Sequence, residues 1–491
     1  MLTFRNTSKS TIQKEMNLNF MLRKVLEDLT RHMRPTPNLS SLLIIALFSA
    51  CGGGGGSSTE ISVIATPPSP PSFESPHPDT WETTSASEAG FDEDALDSAF
   101  EYAVTDGFYT QAVLLIKDGK LVRERYRGIT DAEAAGLASI SSLPEGQNAS
   151  YWQDLYGDRD AASTVTSWST AKSFTSVLIG MAIELGLIQS ASQSASDFID
   201  EWEADDRASI TIQQLLDMRS GLVPKCSNFE TAVVGECGDY PSASSGGDIL
   251  YATDQISGCI DREFAVPGTV YPWVSPQGDG AYEAGQFYYS NCDTQVLGEI
   301  IFRATGQDPG LFAQQNLFEP LNIEADWWRD DVETGQANGN YLTYCCLDST
   351  ARDFAKFGYM LLLGGIETSE GQSYASYVST ILAQEETYRN QFWAYCDSQP
   401  FSASPDCENV LVMTIGFDGQ YILVDQKNDI VLVRTSLYEP ILNASDERKM
   451  RLNPLLLSES NWVASLPMAM LGPGTEFGIL NFYLSVADAL R

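Results

Sequence analysis

The chain has 491 residues, 29 Lys+Arg against 66 Asp+Glu and a formal net charge of −37, with 43% hydrophobic and 11% aromatic residues. That composition can bury a core, and the acid excess excludes functions needing a basic face for nucleic acid or anionic lipid. Both histidines, His32 and His77, lie in N-terminal sequence that reads as leader and linker, which excludes a Ser-His-Asp triad or a histidine metal site in the folded body.

Residues 42–48 form a short apolar run after Arg34, followed by Ser49, Ala50 and Cys51. This is the pattern of a secretory signal ending in small residues, and it is too short for a membrane span. The run Leu47-Phe48-Ser49-Ala50-Cys51 resembles a bacterial lipobox, with Phe48 replacing the usual small aliphatic residue. It implies lipidation of Cys51, the alternative being an ordinary cleaved signal. Basic residues normally stand close to the start of such a signal, so the expected true start is Met33, followed by Arg34. Residues 52–79, with five consecutive glycines and then serines and prolines, read as an extended tether from membrane to domain. Loss of residues 1–51 removes seven basic and three acidic side chains and moves the net charge from −37 to −41. The expected location is the bacterial cell envelope, with the domain lipid-anchored and facing periplasm or exterior.

From residue 80 to 491 the chain shows no repeat and no second linker, so one large catalytic unit is expected. Residues 112–116 and 120–126 flank Asp118-Gly119, a two-residue hairpin turn. The clearest helical pattern is Phe174, Val177, Leu178, Met181, Ala182 and Leu185, with Gly186 as its stop. Residues 410–417, 420–424 and 430–434 are rich in β-branched and apolar side chains and read as strands of the same antiparallel sheet. Strands at both ends with helices between predict an α/β sandwich whose middle is helical.

Eight cysteines follow Cys51, an even count that favours disulfides in an exported chain. Cys226/Cys237 and Cys396/Cys407, each pair eleven apart, suit local loop closure. Cys259, Cys292, Cys345 and Cys346 are left without an assigned connectivity. None has the C-x-x-C spacing of a zinc or redox site.

The best helix is preceded by Ser167-Trp168-Ser169-Thr170-Ala171-Lys172. If helix begins near Ser169, then Ser169 and Lys172, three apart, share one face of its first turn. A serine hydroxyl needs a base, and a lysine amine serves only if burial or nearby positive charge lowers its pKa. The helix N-terminus supplies part of that field and a free Ser169 N–H for an oxyanion. A second motif, Tyr289-Ser290-Asn291, enters the helical pattern Val296, Leu297, Ile300 and Ile301. Taken singly, these residues also suit a core tyrosine, a helix cap and a solvated helix start.

These S-x-x-K and Y-x-N motifs resemble those of the serine β-lactamase and penicillin-binding-protein superfamily, in the branch of class C β-lactamases, family esterases and 6-aminohexanoate-dimer hydrolases. The resemblance covers about residues 91–436, with residues 211–222 similar to the helix after the nucleophile. It implies an antiparallel sheet flanked by helices plus a mainly helical lobe. It also implies an acylated Ser169, Lys172 as its proton partner, and Tyr289 exchanging protons with the serine oxygen and the leaving group. Which of Lys172 and Tyr289 is the base stays open, and Asn291 would hydrogen-bond Lys172 or the substrate. The family's third motif is a Lys-Thr-Gly or His-x-Gly strand, whereas this chain has Met413-Thr414-Ile415-Gly416-Phe417-Asp418. That departure resembles the aminohexanoate-dimer hydrolase branch and points to the Phe417 N–H, with that of Ser169, as the oxyanion hole. The missing cation weighs against a β-lactam carboxylate, and Asp418 would repel one.

The expectation is therefore an extracytoplasmic serine hydrolase cleaving a small ester or amide through an acyl-serine, with no metal or cofactor and no nucleic-acid partner. The alternatives are a D,D-peptidase or β-lactamase, and a non-hydrolytic sensing or binding module on the same fold. Trp168, Trp273, Trp327, Trp328 and Trp393 are candidates for pocket lining, or for core packing. Substrate and oligomeric state are not legible.

Overall fold

Asp118 and Gly119 both adopt positive φ, 50° and 76°, as a type I′ turn requires, and close a hairpin of Thr110–Lys117 (β1) and Lys120–Tyr126 (β2). In the computed structural model this hairpin forms one side of a seven-stranded antiparallel sheet. The described residues are 81–139, 148–223, 227–228, 233–234, 254–266, 285–330, 339–365, 374–397, 407–416, 419–437 and 477–491. The expected leader, Cys51 and tether lie outside them, as do Cys226, Cys237, Trp273, Phe417 and Asp418.

The other strands are Tyr388–Arg389 (β3), Phe392–Cys396 (β4), Val410–Gly416 (β5), Gln420–Asp425 (β6) and Ile430–Ser436 (β7). Their order is β2-β1-β7-β6-β5-β4-β3, so the first hairpin and the late strands share one sheet, as predicted. Both faces are covered, which is why the strands read as apolar runs rather than as alternation. Leu114, Ile116, Val424 and Val433 pack into one core, while Val113, Leu115, Leu423 and Leu432 pack into the other. The second core is closed by the helices Glu93–Ala103 (α1) and Ile479–Asp488 (α7), where Phe100 meets Phe482 edge-on at 5.5 Å.

On the opposite face lies the helix Ala171–Glu184 (α2), buried on every side from Ala171 to Ala182. Phe174 stacks on Phe357 of Ala351–Leu362 (α6) at 3.7 Å. Each such fully buried apolar side chain contributes roughly 1.5–3 kcal/mol. The predicted stop is a Schellman motif: Gly186 has φ 71°, its N–H bonds the Ile183 carbonyl, and the Leu187 N–H bonds that of Ala182, both at 2.9 Å.

The segment expected to resemble the next family helix is helical only over Ile212–Leu216 (α3). Met218 at φ 54° and Gly221 at φ 80° turn the chain out of helix. Asn291–Thr305 (α5) packs beside α2, and Gln255–Ile260 (α4) packs on α5. Disulfides join Cys259 to Cys292, Cys345 to Cys346 and Cys396 to Cys407, so the Cys396/Cys407 expectation is met.

Candidate active site

Ser169 does not start the α-helix itself. It sits in a 3₁₀ turn, Trp168–Thr170, that runs into α2, with Trp168 in the left-handed region at φ 47°. The turn is tied from both sides. The Ser167 N–H donates to the Leu347 carbonyl (2.8 Å), and the Leu347 N–H donates to Ser167 Oγ (3.0 Å). Thr170 Oγ1 donates to the Gln420 carbonyl and lies 3.2 Å from Thr414 Oγ1. Here the end of β5 approaches so closely that a β-carbon on Gly416 would fall 2.3 Å from the Ser167 carbonyl oxygen. Gly416→Ala is therefore expected to cost about 1–3 kcal/mol and to slow any reaction at Ser169, read by thermal unfolding and by labelling of the serine. Unchanged behaviour in both would mean that the approach has no consequence.

Lys172 is buried, 1% exposed, yet Nζ lies 3.1 Å from the half-buried Ser169 Oγ. Its other hydrogen-bond partners among the described residues are Asn291 Oδ1 (2.7 Å) and the Tyr344 carbonyl (2.8 Å). Burial alone holds the amine well below the ordinary lysine range. An uncharged amine has two N–H donors and one lone pair. Nζ is placed to donate to all three groups, Ser169 Oγ among them; only the uncharged amine could give both N–H groups to Asn291 and Tyr344 and turn its lone pair to the Ser169 O–H. Once protonated, the same nitrogen has three donors and three acceptors already in place, with the Tyr289 and Tyr344 ring centroids 5.1 and 5.4 Å away.

Tyr289 hydrogen-bonds Ser169, and burial pushes its phenol up to about 12. The phenol thus keeps its proton near neutrality. Trp393 of β4 stacks on it at 5.8 Å, and Tyr388 of β3 meets it edge-on at 5.8 Å. Asn291 is the first residue of α5, and the cap is Ser290, whose Oγ accepts from the Asp293 N–H (3.3 Å).

Asp293, in the first turn of α5, is buried and receives a hydrogen bond from Ser220 Oγ (2.8 Å). Desolvation raises its carboxyl to about 7 from 3.8. Between those values the folded chain holds a proton that the unfolded chain has released, so stability falls as pH rises through that window. Asp293→Asn, which cannot titrate, is expected to gain on the parent protein over about pH 4–7, by at most about 4 kcal/mol. A melting-temperature difference independent of pH would contradict this.

The structure thus brings Ser169, Lys172, Tyr289 and Asn291 together. The expected second oxyanion donor, Phe417, lies outside the described residues, immediately after Gly416. Trp327 and Trp328 are core residues, while Trp168 and Trp393 are half-buried. Tyr344 had no sequence signal, because it acts through its carbonyl. Nor did Gln391, a buried hub whose amide bonds the Leu215 and Leu216 carbonyls while its Oε1 accepts from Thr294.

No protein-family profile matches the chain. It is 25% identical over 285 residues to the 6-aminohexanoate-dimer hydrolase of Paenarthrobacter ureafaciens, a match covering 55% of this chain and 64% of that relative, under two thirds of its length. Among solved structures, a class C β-lactamase from Rhodobacter sphaeroides is 15% identical at TM-score 0.45, covering 70% of this chain and 93% of that one. A penicillin-binding protein from Bacillus halodurans is 15% identical at TM-score 0.44, covering 70% and 94%. In sequence the chain thus resembles a 6-aminohexanoate-dimer hydrolase, a branch of the serine β-lactamase and penicillin-binding-protein-like superfamily.

Proposed function

We propose that the protein is an acyl-transferring serine hydrolase in which Ser169 is the nucleophile, Lys172 its base and Tyr289 the donor to the leaving group. The observation that carries this is the hydrogen-bond set of Lys172 Nζ: two acceptors and the Ser169 hydroxyl around a buried amine. Ser169 Oγ forms a bond to the acyl carbon as its proton passes to Nζ. The carbonyl π electrons move onto oxygen, facing the Ser169 N–H in the 3₁₀ turn that leads into α2. Collapse breaks the bond to the leaving group, which takes a proton through Tyr289. Water then attacks the acyl-serine, passing one proton to Lys172 Nζ, and the bond between acyl carbon and Ser169 Oγ breaks as Oγ takes that proton back and the acid leaves.

The proposed substrate is a small ester or amide without a required carboxylate. The motif Met413-Thr414-Ile415-Gly416 supplies no cation, and the sequence relative is named for hydrolysing the 6-aminohexanoate dimer. Export and lipid anchoring through Cys51 belong to the same proposal, supported by the sequence of residues 42–51 and by the disulfides, which suit an oxidising compartment.

Intact-mass analysis after treatment with a fluorophosphonate is expected to show one adduct, mapped to Ser169 and absent in Ser169→Ala. Failure to label the folded protein, or labelling that survives that substitution, would contradict the assignment. A panel of esters and amides then separates turnover from single acylation, and nitrocefin tests for β-lactamase activity.

A further inference from the structure

Both acceptors that hold Lys172 stand next to a half-cystine. Asn291 precedes Cys292, which is bonded to Cys259 of α4, and Tyr344 precedes Cys345, which is bonded to Cys346. We propose that the Cys259–Cys292 and Cys345–Cys346 disulfides are positioning elements for Lys172, fixing Asn291 Oδ1 and the Tyr344 carbonyl so that breaking either bond slows acylation while the fold is retained. The proposal rests on the role given above to Lys172.

The segment after Asn340 shows why a covalent constraint matters here. Four consecutive carbonyls meet four different donors: Thr343 O accepts from Thr175 Oγ1 (2.7 Å), Tyr344 O from Lys172 Nζ (2.8 Å), Cys345 O from the Trp327 indole (2.9 Å) and Cys346 O from the Trp328 N–H (3.0 Å). Such a fan requires abrupt changes of peptide orientation, and Cys346 sits at φ 66°, a region costly for a residue with a side chain. The Cys345–Cys346 bond closes a small ring through the peptide between them and restricts its rotation. The next residue, Leu347, makes the two hydrogen bonds to Ser167. The ring thus lies between the acceptor of the proposed base and the anchor of the nucleophile turn. A rotation there moves both ends, and misplacement of about 1 Å can cost about 10²-fold in rate.

The second disulfide acts on the other acceptor through the same brace. Helix α4 carries Cys259, bonded beside Asn291, and Gln255, whose Oε1 accepts from the Tyr344 hydroxyl (2.8 Å). The third disulfide is a built-in control. Cys396 pairs with Val410, at the opposite end of β5 from Gly416.

The test compares three double variants of the full chain: Cys345→Ala with Cys346→Ala, Cys259→Ala with Cys292→Ala, and Cys396→Ala with Cys407→Ala. Each is followed by kcat and KM on an activated ester, the pH dependence of fluorophosphonate labelling at Ser169, and far-UV circular dichroism. The first two are expected to lose about 10- to 100-fold in kcat/KM, with the acid limb of labelling displaced and the fold retained, and the third to match the parent. Parent-like kcat/KM and pH profile in the first two, or an equal loss in the third, overturns the proposal.

Should the first two variants fail to fold, the folded parent is treated with a tertiary phosphine. Each S–S bond then gains two electrons and two protons to become two thiols, and the phosphine is oxidised to its oxide by oxygen from water. Alkylation and intact mass identify which bonds have opened. Activity falling with opening of Cys345–Cys346 or Cys259–Cys292 at unchanged circular dichroism supports the proposal. Full activity after opening, or loss only together with the fold, overturns it. If the parent never labels at Ser169, the hydrolase reading itself has failed. If it labels and the variants label equally fast at every pH, only this inference has.

Discussion

Lys172→Met is expected to slow acylation of Ser169 by about 10²- to 10⁴-fold and, at the same time, to raise the melting temperature at neutral pH. The two effects have one cause. A buried amine whose partners are two acceptors and a hydroxyl is costly to charge, so its folded pKa lies well below 10.5. The unfolded chain therefore holds a proton there that the folded chain does not, and stability rises with pH between the folded and unfolded values. At neutral pH this is a penalty, and methionine, similar in length and uncharged, removes it. An activity loss without any stability gain would mean that the hydrogen bonds Nζ gives to Asn291 and Tyr344 offset the cost of burying the amine. A stability gain without activity loss would mean that another group accepts the serine proton.

Tyr289→Phe is expected to lower turnover about 10²-fold or more for substrates with poor leaving groups, and much less for an ester that releases a nitrophenolate. The phenol is raised to about 12, so it carries its proton through the neutral range and is suited to donate rather than accept. The ring is retained in phenylalanine and keeps its stacking on Trp393 and its edge contact with Tyr388, so folding should be little affected. A nitrophenolate leaves unaided, whereas an amine or alkoxide leaves only as its proton arrives. Comparing an amide, an alkyl ester and a nitrophenyl ester on the two proteins separates donation from a merely structural role. An equal loss on all three would argue that Tyr289 acts before the leaving group departs.

What the sequence disclosed was local. The Asp118-Gly119 turn, the apolar face leading to Gly186 and the three late strands each carry their own chemistry within a few residues, and all formed as read. Ser169 and Lys172 were legible because helical spacing fixes their relation. Tyr289 and Asn291 were legible only through resemblance, since nothing local links them to a serine 120 positions earlier.

The rest depends on contacts distant in sequence. The acceptor from Tyr344 is a backbone carbonyl and leaves no side-chain signature. Tyr388 and Trp393 reach Tyr289 only because β3 and β4 lie beyond β5 in the sheet. The pairing of Cys259 with Cys292 likewise needs α4 and α5 side by side. Residues 211–222 promised more helix than formed, because positive φ at Met218 and Gly221 is a turn requirement that apolar spacing does not reveal. The cysteine pair at 345 and 346 was in plain view, and its adjacency was the one clue that this segment is constrained.

Stopped-flow acylation of Ser169 by a nitrophenyl ester, followed across pH in the parent and in Lys172→Met, probes the free amine without intermediaries. The burst rate of the parent should rise with a single acid limb well below the lysine range and then stay level, and the substitution should abolish that limb along with most of the rate. A parent rate still climbing near pH 10, or a limb that persists after Lys172 is gone, would show that the proton leaves Ser169 by some other path.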